Sequence, residues 1–176
     1  MKKCKCVLLV AFLASFEAGA FEVSPYVGAN VSSVEYKEQG YQALYPTAIA
    51  IKFGGRFNQY FAVEARAGTG VSDDSIDLSG VKVNVSVDNY YGAYAKGMIP
   101  ISKLVSIYGL AGYTKGKLTF DAQGLSMTAS DSSPSFGIGA DLNIRDILSV
   151  GVEFARLFKG DGYEVRAVSV GVSKTF

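Results

Sequence analysis

The stretch VSVGVSKTF (residues 168–176) decides the fold, because apolar side chains alternate in it with small or polar ones. Val168, Val170, Val172 and Phe176 share one face of a strand with this period. The other face carries Ser169, Gly171, Ser173 and Thr175. One face that is apolar except for Lys174, beside one face of small groups, suits the lipid-facing wall of a transmembrane barrel. The pattern therefore predicts a final strand that closes such a barrel.

The first twenty residues have the three parts of a secretory leader in the required order. They are a basic start with Lys2, Lys3 and Lys5, an apolar run over residues 7–16, and the small residues 18–20. The apolar run is about half the ~20 residues that a membrane-spanning helix needs. We therefore expect a signal peptide over residues 1–20 and one domain over residues 21–176.

The composition excludes several classes of function. Both cysteines, Cys4 and Cys6, lie in the predicted leader, and the sequence contains no histidine. A mature chain without thiols has no disulfide, thiolate metal site or cysteine nucleophile. Removal of the leader would leave a net charge near −1, which provides no basic field for nucleic acid. We expect no cofactor, no metal and no nucleic-acid partner.

Segments of roughly ten residues with a period of two recur along the mature chain and are separated by alternately long and short connections. In one of them Ile49, Ile51 and Phe53 lie opposite Lys52 and Arg56. The eight segments run over about 23–36, 47–57, 61–70, 81–99, 104–120, 134–144, 147–158 and 163–176. The longer connections are 35–46, 72–80, 116–134 and 159–162. The prediction is an all-β fold, an eight-stranded antiparallel up-and-down transmembrane β-barrel.

The same parity assigns individual side chains to the two faces. It places Val87 with Tyr91 on the apolar, outward face of its strand. It also places Arg156 and Phe158 outward with Phe154. Arg156 would then either meet lipopolysaccharide phosphates or lie where the strand has already left the membrane.

The mature chain resembles the small OmpA/OmpX-type family of eight-stranded outer-membrane barrels. Besides the aromatic ending, which is similar to the assembly signal of such barrels, four stretches carry the resemblance. They are YFAVE (60–64), AYAKGMIPI (93–101), GIGAD (137–141) and VGVEFAR (150–156). The resemblance implies a place in the outer membrane, contact with its lipid and lipopolysaccharide, and recognition of the terminal strand by the barrel-assembly machinery.

The resemblance also implies a salt-bridged plug inside the barrel. Its members would be Glu64, Lys96, Asp141 and Glu153, with Lys52, Arg56 and Arg66 as further basic partners. Convergent acids and bases also serve general acid–base catalysis, with Glu64 and Lys96 as the candidate pair. Charges inside a narrow barrel need partners with or without a reaction, so we interpret the plug as structural. Barrel enzymes that resemble one another in using a catalytic histidine are excluded, whereas an Asp-Asp or Ser-only hydrolase stays open.

We therefore predict an integral outer-membrane protein with a structural and surface-presenting role and no catalysis. Its surface loops would meet a host or other surface ligand, with Tyr36, Tyr41 and Tyr45 either as contact anchors or packed on the barrel rim. One alternative is a narrow gated channel for ions or small solutes, in which the charges of the plug exchange partners. Another alternative is a soluble periplasmic barrel that holds an apolar ligand.

Overall fold

The structure, a computed structural model, describes residues 23–38, 43–78, 81–122, 125–144, 147–160 and 163–176. None of these residues is in a helix, and hence no described helix is long and apolar enough to span a bilayer. The strands are β1 (Ser24–Glu38), β2 (Thr47–Arg56), β3 (Phe61–Ser72), β4 (Asp74–Leu78), β5 (Val81–Pro100), β6 (Val105–Ala122), β7 (Leu125–Ile144), β8 (Leu148–Lys159) and β9 (Tyr163–Thr175). The predicted leader and Tyr41 lie outside the described residues.

The strands close into an antiparallel barrel in which each strand pairs with its neighbours in the chain. β3 and β4 are two parts of the third barrel strand, because both pair with β5 and only Asp73 separates them. The ring is closed where β9 pairs with β1, with Val170 opposite Val31. The backbone N–H of Phe176 extends this pairing by donating to the carbonyl oxygen of Pro25, at 2.9 Å. The predicted eight-stranded up-and-down barrel is confirmed.

Outward-facing side chains form a continuous apolar band around the barrel. Ile51, Phe53 and Ile138 are each about two thirds exposed. On β9 the side chains of Val168 and Val172 belong to the same band. Because water would disfavour so much contiguous apolar surface, this band is the part of the wall that contacts lipid.

Two β-bulges change the facing that sequence parity predicts. One lies between Val87 and Asn89 in β5, and the other lies between Arg156 and Phe158 in β8. An extra residue in one strand reverses which face the following side chains occupy. Val87 and Phe158 consequently point inward and are buried, so the prediction that placed them on the outward face is wrong.

The barrel has two different ends. At the turn end the connections 57–60 and 101–104 are short, and the described chain both starts and finishes there. At the extended end β5, β6 and β7 reach 20, 18 and 20 residues, whereas β2 has 10. Residues 116–134, predicted as a loop, belong mainly to β6 and β7, which pair as far as Ala122 opposite Leu125. These three strands therefore project beyond the apolar band as a sheet.

Candidate functional site

The barrel lumen holds all seven charged residues that the sequence assigned to it. Glu64, Arg66, Lys96, Asp141 and Glu153 are buried there, and Lys52 and Arg56 are half-buried. They occupy alternate, inward positions of their strands, opposite the outward apolar band. Arg56, Glu64 and Lys96 lie close to the turns 57–60 and 101–104, so the charges occupy the turn-end half of the lumen.

Arg66 lies at the centre of the larger charge cluster. Its Nη1 and Nη2 donate to the two carboxylate oxygens of Glu153 across the lumen, at 2.5 and 2.8 Å. Its Nε donates to Oε1 of Glu64, two residues away on the same face of β3, at 2.5 Å. A planar guanidinium suits this arrangement because its donors form a rigid fork. One arginine thus joins β3 to β8.

Three tyrosines complete this cluster. The hydroxyl of Tyr26 donates to Oε2 of Glu64 at 2.7 Å, and the hydroxyl of Tyr108 donates to Oε2 of Glu153 at 3.0 Å. The ring centroid of Tyr94 lies 4.8 Å from Cζ of Arg66, a cation–π distance. Sequence reasoning assigned no role to these tyrosines, although Tyr94 shares the parity of the inward Lys96.

Inward glycines make room for the tyrosine rings. A Cβ added to Gly54 would lie 2.3 Å from Cζ of Tyr26, and one added to Gly139 would lie 2.4 Å from Cζ of Tyr108. No real Cβ contact is that short, so each tyrosine needs a glycine on the neighbouring wall. The alternation of large and small inward residues fills the narrow lumen.

Lys96 and Asp141 form a second ion pair. Nζ of Lys96 donates to Oδ2 of Asp141 at 2.8 Å, and both side chains are buried. The same ammonium lies 3.6 Å from the ring centroid of Tyr108. Tyr108 therefore contacts both charge clusters and couples them.

Lys52 and Arg56 are not part of the ion-paired network. Within the described ranges, neither side chain lies within 4.0 Å of a carboxylate oxygen. Lys52 lies directly opposite Arg66 in the β2–β3 register, and Arg56 places Cζ 5.6 Å from the ring centroid of Tyr26. Since Arg66 faces two carboxylates, the ammonium of Lys52 supplies the positive charge that balances the cluster from a distance.

Uncharged layers lie between this network and the extended end. First come hydroxyl groups, with Ser32 bonded to Ser169 at 2.8 Å and Ser135 bonded to Thr114 at 2.7 Å. Above them is an apolar cluster, which we call the apolar plug. Its buried members are Val34, Ala48, Ala50, Val87, Tyr90, Ala155, Leu157, Phe158, Val165 and Ala167. The lumen is thus charged toward the turn end and apolar toward the extended end.

The chemistry open to the charge network is limited by its own hydrogen bonds. All four carboxylate oxygens of Glu64 and Glu153 accept hydrogen bonds from Arg66, Tyr26 or Tyr108. A general base needs a free oxygen within reach of a substrate proton. The network has the form of a satisfied structural cluster, in which each buried charge has its partner.

Comparison with known proteins identifies the architecture. A family model described as the outer membrane protein beta-barrel domain matches residues 6–176. None of the curated protein sequences matches the chain.

Several solved structures share the fold. Ail, the attachment invasion locus protein of Yersinia pestis, was solved in complex with the heparin analogue sucrose octasulfate and has 23% identity and a TM-score of 0.65. The alignment covers 88% of this chain and 99% of Ail. Neisserial surface protein A has 18% identity and a TM-score of 0.61, with 88% and 99% covered. The N-terminal barrel domain of Pseudomonas aeruginosa OprF has 13% identity and a TM-score of 0.55, with 85% and 97% covered. At these identities the likeness concerns the fold alone.

Proposed function

The chain belongs to the outer membrane protein β-barrel domain family, and from this premise we propose that it reinforces the cell envelope and presents a projecting sheet at the cell surface, without catalysis. The protein resides in the outer membrane, as the family and its structural neighbours do. The observation that carries the proposal is that the lumen is filled with side chains while β5, β6 and β7 project beyond the apolar band. A filled lumen suits a structural element, and a projecting sheet suits contact with other molecules.

The charge network supports a structural role rather than an enzymatic one. A single arginine holds β3 against β8 through hydrogen bonds to two buried carboxylates. Such bonds are charge-assisted and are roughly twice as strong as neutral ones. They also occupy the oxygens that a reaction would need. We therefore propose that the network stiffens the barrel.

The extended end supports a role in surface contact. The outer part of β7 carries several exposed side chains, among them Met127 at 72% exposure. Residues 125–135 of β7 pair with β6 only, because pairing with β8 begins at Phe136. Ail, whose structure has this fold, carries attachment and invasion in its name. We propose that the projecting sheet of this chain contacts a host or other surface ligand.

Cysteine labelling on intact cells tests this surface topology. In a chain with Cys4→Ser and Cys6→Ser, we expect Met127→Cys to react with a membrane-impermeant maleimide, because Met127 is exposed beyond the apolar band. The matched control is Ser102→Cys, which is exposed in a turn at the other end and should react only after the outer membrane is opened. Labelling of both cysteines, or of Ser102→Cys alone, on intact cells would reject the topology.

The outward face above the band supports contact with lipopolysaccharide. Arg156 and Arg166 are direct cross-strand neighbours. Arg166 donates to Glu164 at 2.7 Å, whereas the buried Nε of Arg156 has no hydrogen-bond partner among the described residues. Two like charges side by side favour a bridging anion, and guanidinium groups bind phosphate well. We propose that lipid phosphates of the outer leaflet fill this place.

Recognition of residues 168–176 by the assembly machinery stays a prediction.

The gated channel is the second candidate, and the apolar plug argues against it. An ion crossing the lumen would have to pass the buried side chains of Val87, Leu157 and Phe158, which offer no polar partner, and this is costly. In planar bilayers we therefore expect no steady current from the folded protein. A steady, charge-selective current that changes with Lys96→Ala but not with the outward Lys174→Ala would favour the channel. The soluble periplasmic barrel is not retained, because the protein resides in the outer membrane.

A further inference from the structure

A pocket of about 440 Å³ lies at the extended end of the barrel, on top of the apolar plug. We call it the mouth pocket. Its lining includes Tyr36, Leu118, Asp131, Phe158, Gly160 and Tyr163. Pockets of roughly 300–1,000 Å³ with mostly apolar walls and a few polar groups are typical of small-molecule sites. The mouth pocket meets both conditions of size and lining.

Aromatic rings form the floor and one wall of the mouth pocket. Phe158 is buried in the apolar plug beneath it, and Tyr36 and Tyr163 stack with ring centroids 6.1 Å apart. Two glycines give these rings their space. A Cβ at Gly116 would lie 2.8 Å from Cζ of Phe158, and one at Gly160 would lie 2.2 Å from Cε1 of Tyr163. The aromatic surface is thus part of how the barrel end is packed.

Among the described residues that line the mouth pocket, the charged side chain is the carboxylate of Asp131. Its Oδ2 accepts a hydrogen bond from the hydroxyl of Tyr163, and its Oδ1 accepts one from the backbone N–H of Ser132 at 2.7 Å. Burial, followed by the hydrogen bond to Asp131 and its negative charge, raises the pKa of Tyr163 to about 12. The hydroxyl therefore stays protonated and holds the carboxylate at the pocket wall.

The negative charge of Asp131 has no basic partner among the described residues that line the mouth pocket. Its lining residues include no lysine or arginine, and no basic group of the described chain lies within 4.0 Å of the Asp131 carboxylate. A carboxylate has about four acceptor positions, so Asp131 can accept further donors. Aromatic faces attract cations through the ring quadrupole. Both features favour a positively charged occupant.

We propose that the mouth pocket binds an organic cation, an ammonium or guanidinium group carried on an apolar stem. The stem would lie against Phe158 and Leu118, and the cationic head would lie beside Asp131, next to the stacked tyrosine rings. The cation would be either a free amine or the Lys or Arg side chain of a partner protein. This inference rests on the proposed function only for the access of such a ligand from outside the cell.

Binding to the purified, folded protein in nanodiscs tests the proposal independently of topology on the cell. The probes are phenethylammonium, the neutral 2-phenylethanol and the anionic phenylacetate, which share the aromatic stem and differ in charge. The readout is the shift of the backbone amide resonances of Gly116 and Gly160. We expect the cation to bind roughly tenfold more tightly than the neutral probe, and the anion to bind more weakly than either.

Variants separate the two parts of the mouth pocket. Asp131→Asn should abolish the preference for the cation over the neutral probe, and Phe158→Leu should weaken binding of both. The matched control is Asp88→Asn, which changes a carboxylate that lies outside the mouth pocket and accepts from Thr119 at 2.9 Å. Equal binding of all three probes, no binding, or an unchanged preference in Asp131→Asn would overturn the proposal.

A short peptide with one central arginine distinguishes the two sources of the cation. If it shifts the same two glycine resonances with an affinity similar to that of phenethylammonium, a partner's side chain fits the site. If only the small amine does so, the site takes free amines. Either result supports the organic-cation site. If neither the small amine nor the peptide binds in nanodiscs, the site is rejected, even where cysteine labelling supports the topology.

Discussion

Arg66→Leu is expected to cost about 3–5 kcal/mol of the free energy of unfolding, because it leaves two buried carboxylates without their cation. Arg66 donates to Glu64 and to both oxygens of Glu153, and all three side chains are buried. The measurement is a urea titration in phospholipid vesicles, with the folded fraction followed by gel mobility without boiling.

Two further variants show whether this cost arises from unpaired charge. The triple variant Arg66→Leu, Glu64→Gln and Glu153→Gln should recover most of the loss, since neutral groups then replace all three hydrogen-bonded ions. Arg166→Leu is the matched control because its ion pair with Glu164 is partly exposed and screened by solvent. It should unfold close to the wild-type urea concentration. If Arg66→Leu also unfolds there, the network does not stabilise the barrel.

Val172→Lys is expected to destabilise the barrel by about 2–4 kcal/mol, the cost of a lysine on the lipid-facing side near the bilayer midplane. Val172 faces outward in β9, between Ala29 of β1 and Val150 of β8, at the seam that closes the barrel. The same titration in phospholipid vesicles measures the effect.

Depth in the membrane provides the control for this prediction. Ser33→Lys places the same charge outward on β1 at the outer edge of the apolar band, opposite Val168, where the cost should be only about 0–1 kcal/mol. In urea without lipid or detergent both variants are unfolded, and their gel mobilities should be the same. Equal stability of Val172→Lys and Ser33→Lys in vesicles would show that β9 does not face lipid.

Sequence parity predicted the faces of most strands correctly, because successive side chains of a strand point to opposite sides whatever the fold. Glu64, Lys96, Asp141 and Glu153 lie inward as predicted, and Val168 and Val170 lie outward. Parity failed where β5 and β8 contain bulges, since an inserted residue reverses the facing beyond it. It also failed to show that residues 116–134 continue as strands.

The partners inside the lumen were beyond the reach of sequence reasoning. The sequence offers Glu64 and Lys96 as a candidate pair, yet Lys96 is hydrogen-bonded to Asp141, and Glu64 is hydrogen-bonded to Arg66 and Tyr26. Arg66 and Glu153 are separated by 87 residues and lie on strands that are not neighbours in the sheet. Whether they meet depends on the stagger of the strands around the barrel, which local sequence does not specify.

The sequence by itself thus determined the barrel type, the number of barrel strands and the set of charges that face the lumen. The strands follow from a two-residue period, the outward direction of the apolar face rests on the leader and the aromatic ending, and the lumen charges rest on the resemblance to small outer-membrane barrels. The tertiary structure alone decided which charges meet, where the apolar plug lies and how Tyr36, Asp131, Phe158 and Tyr163 surround one pocket. The physical reason is that strand stagger and bulges set the height of each side chain in the closed barrel, and they arise only when all strands pair.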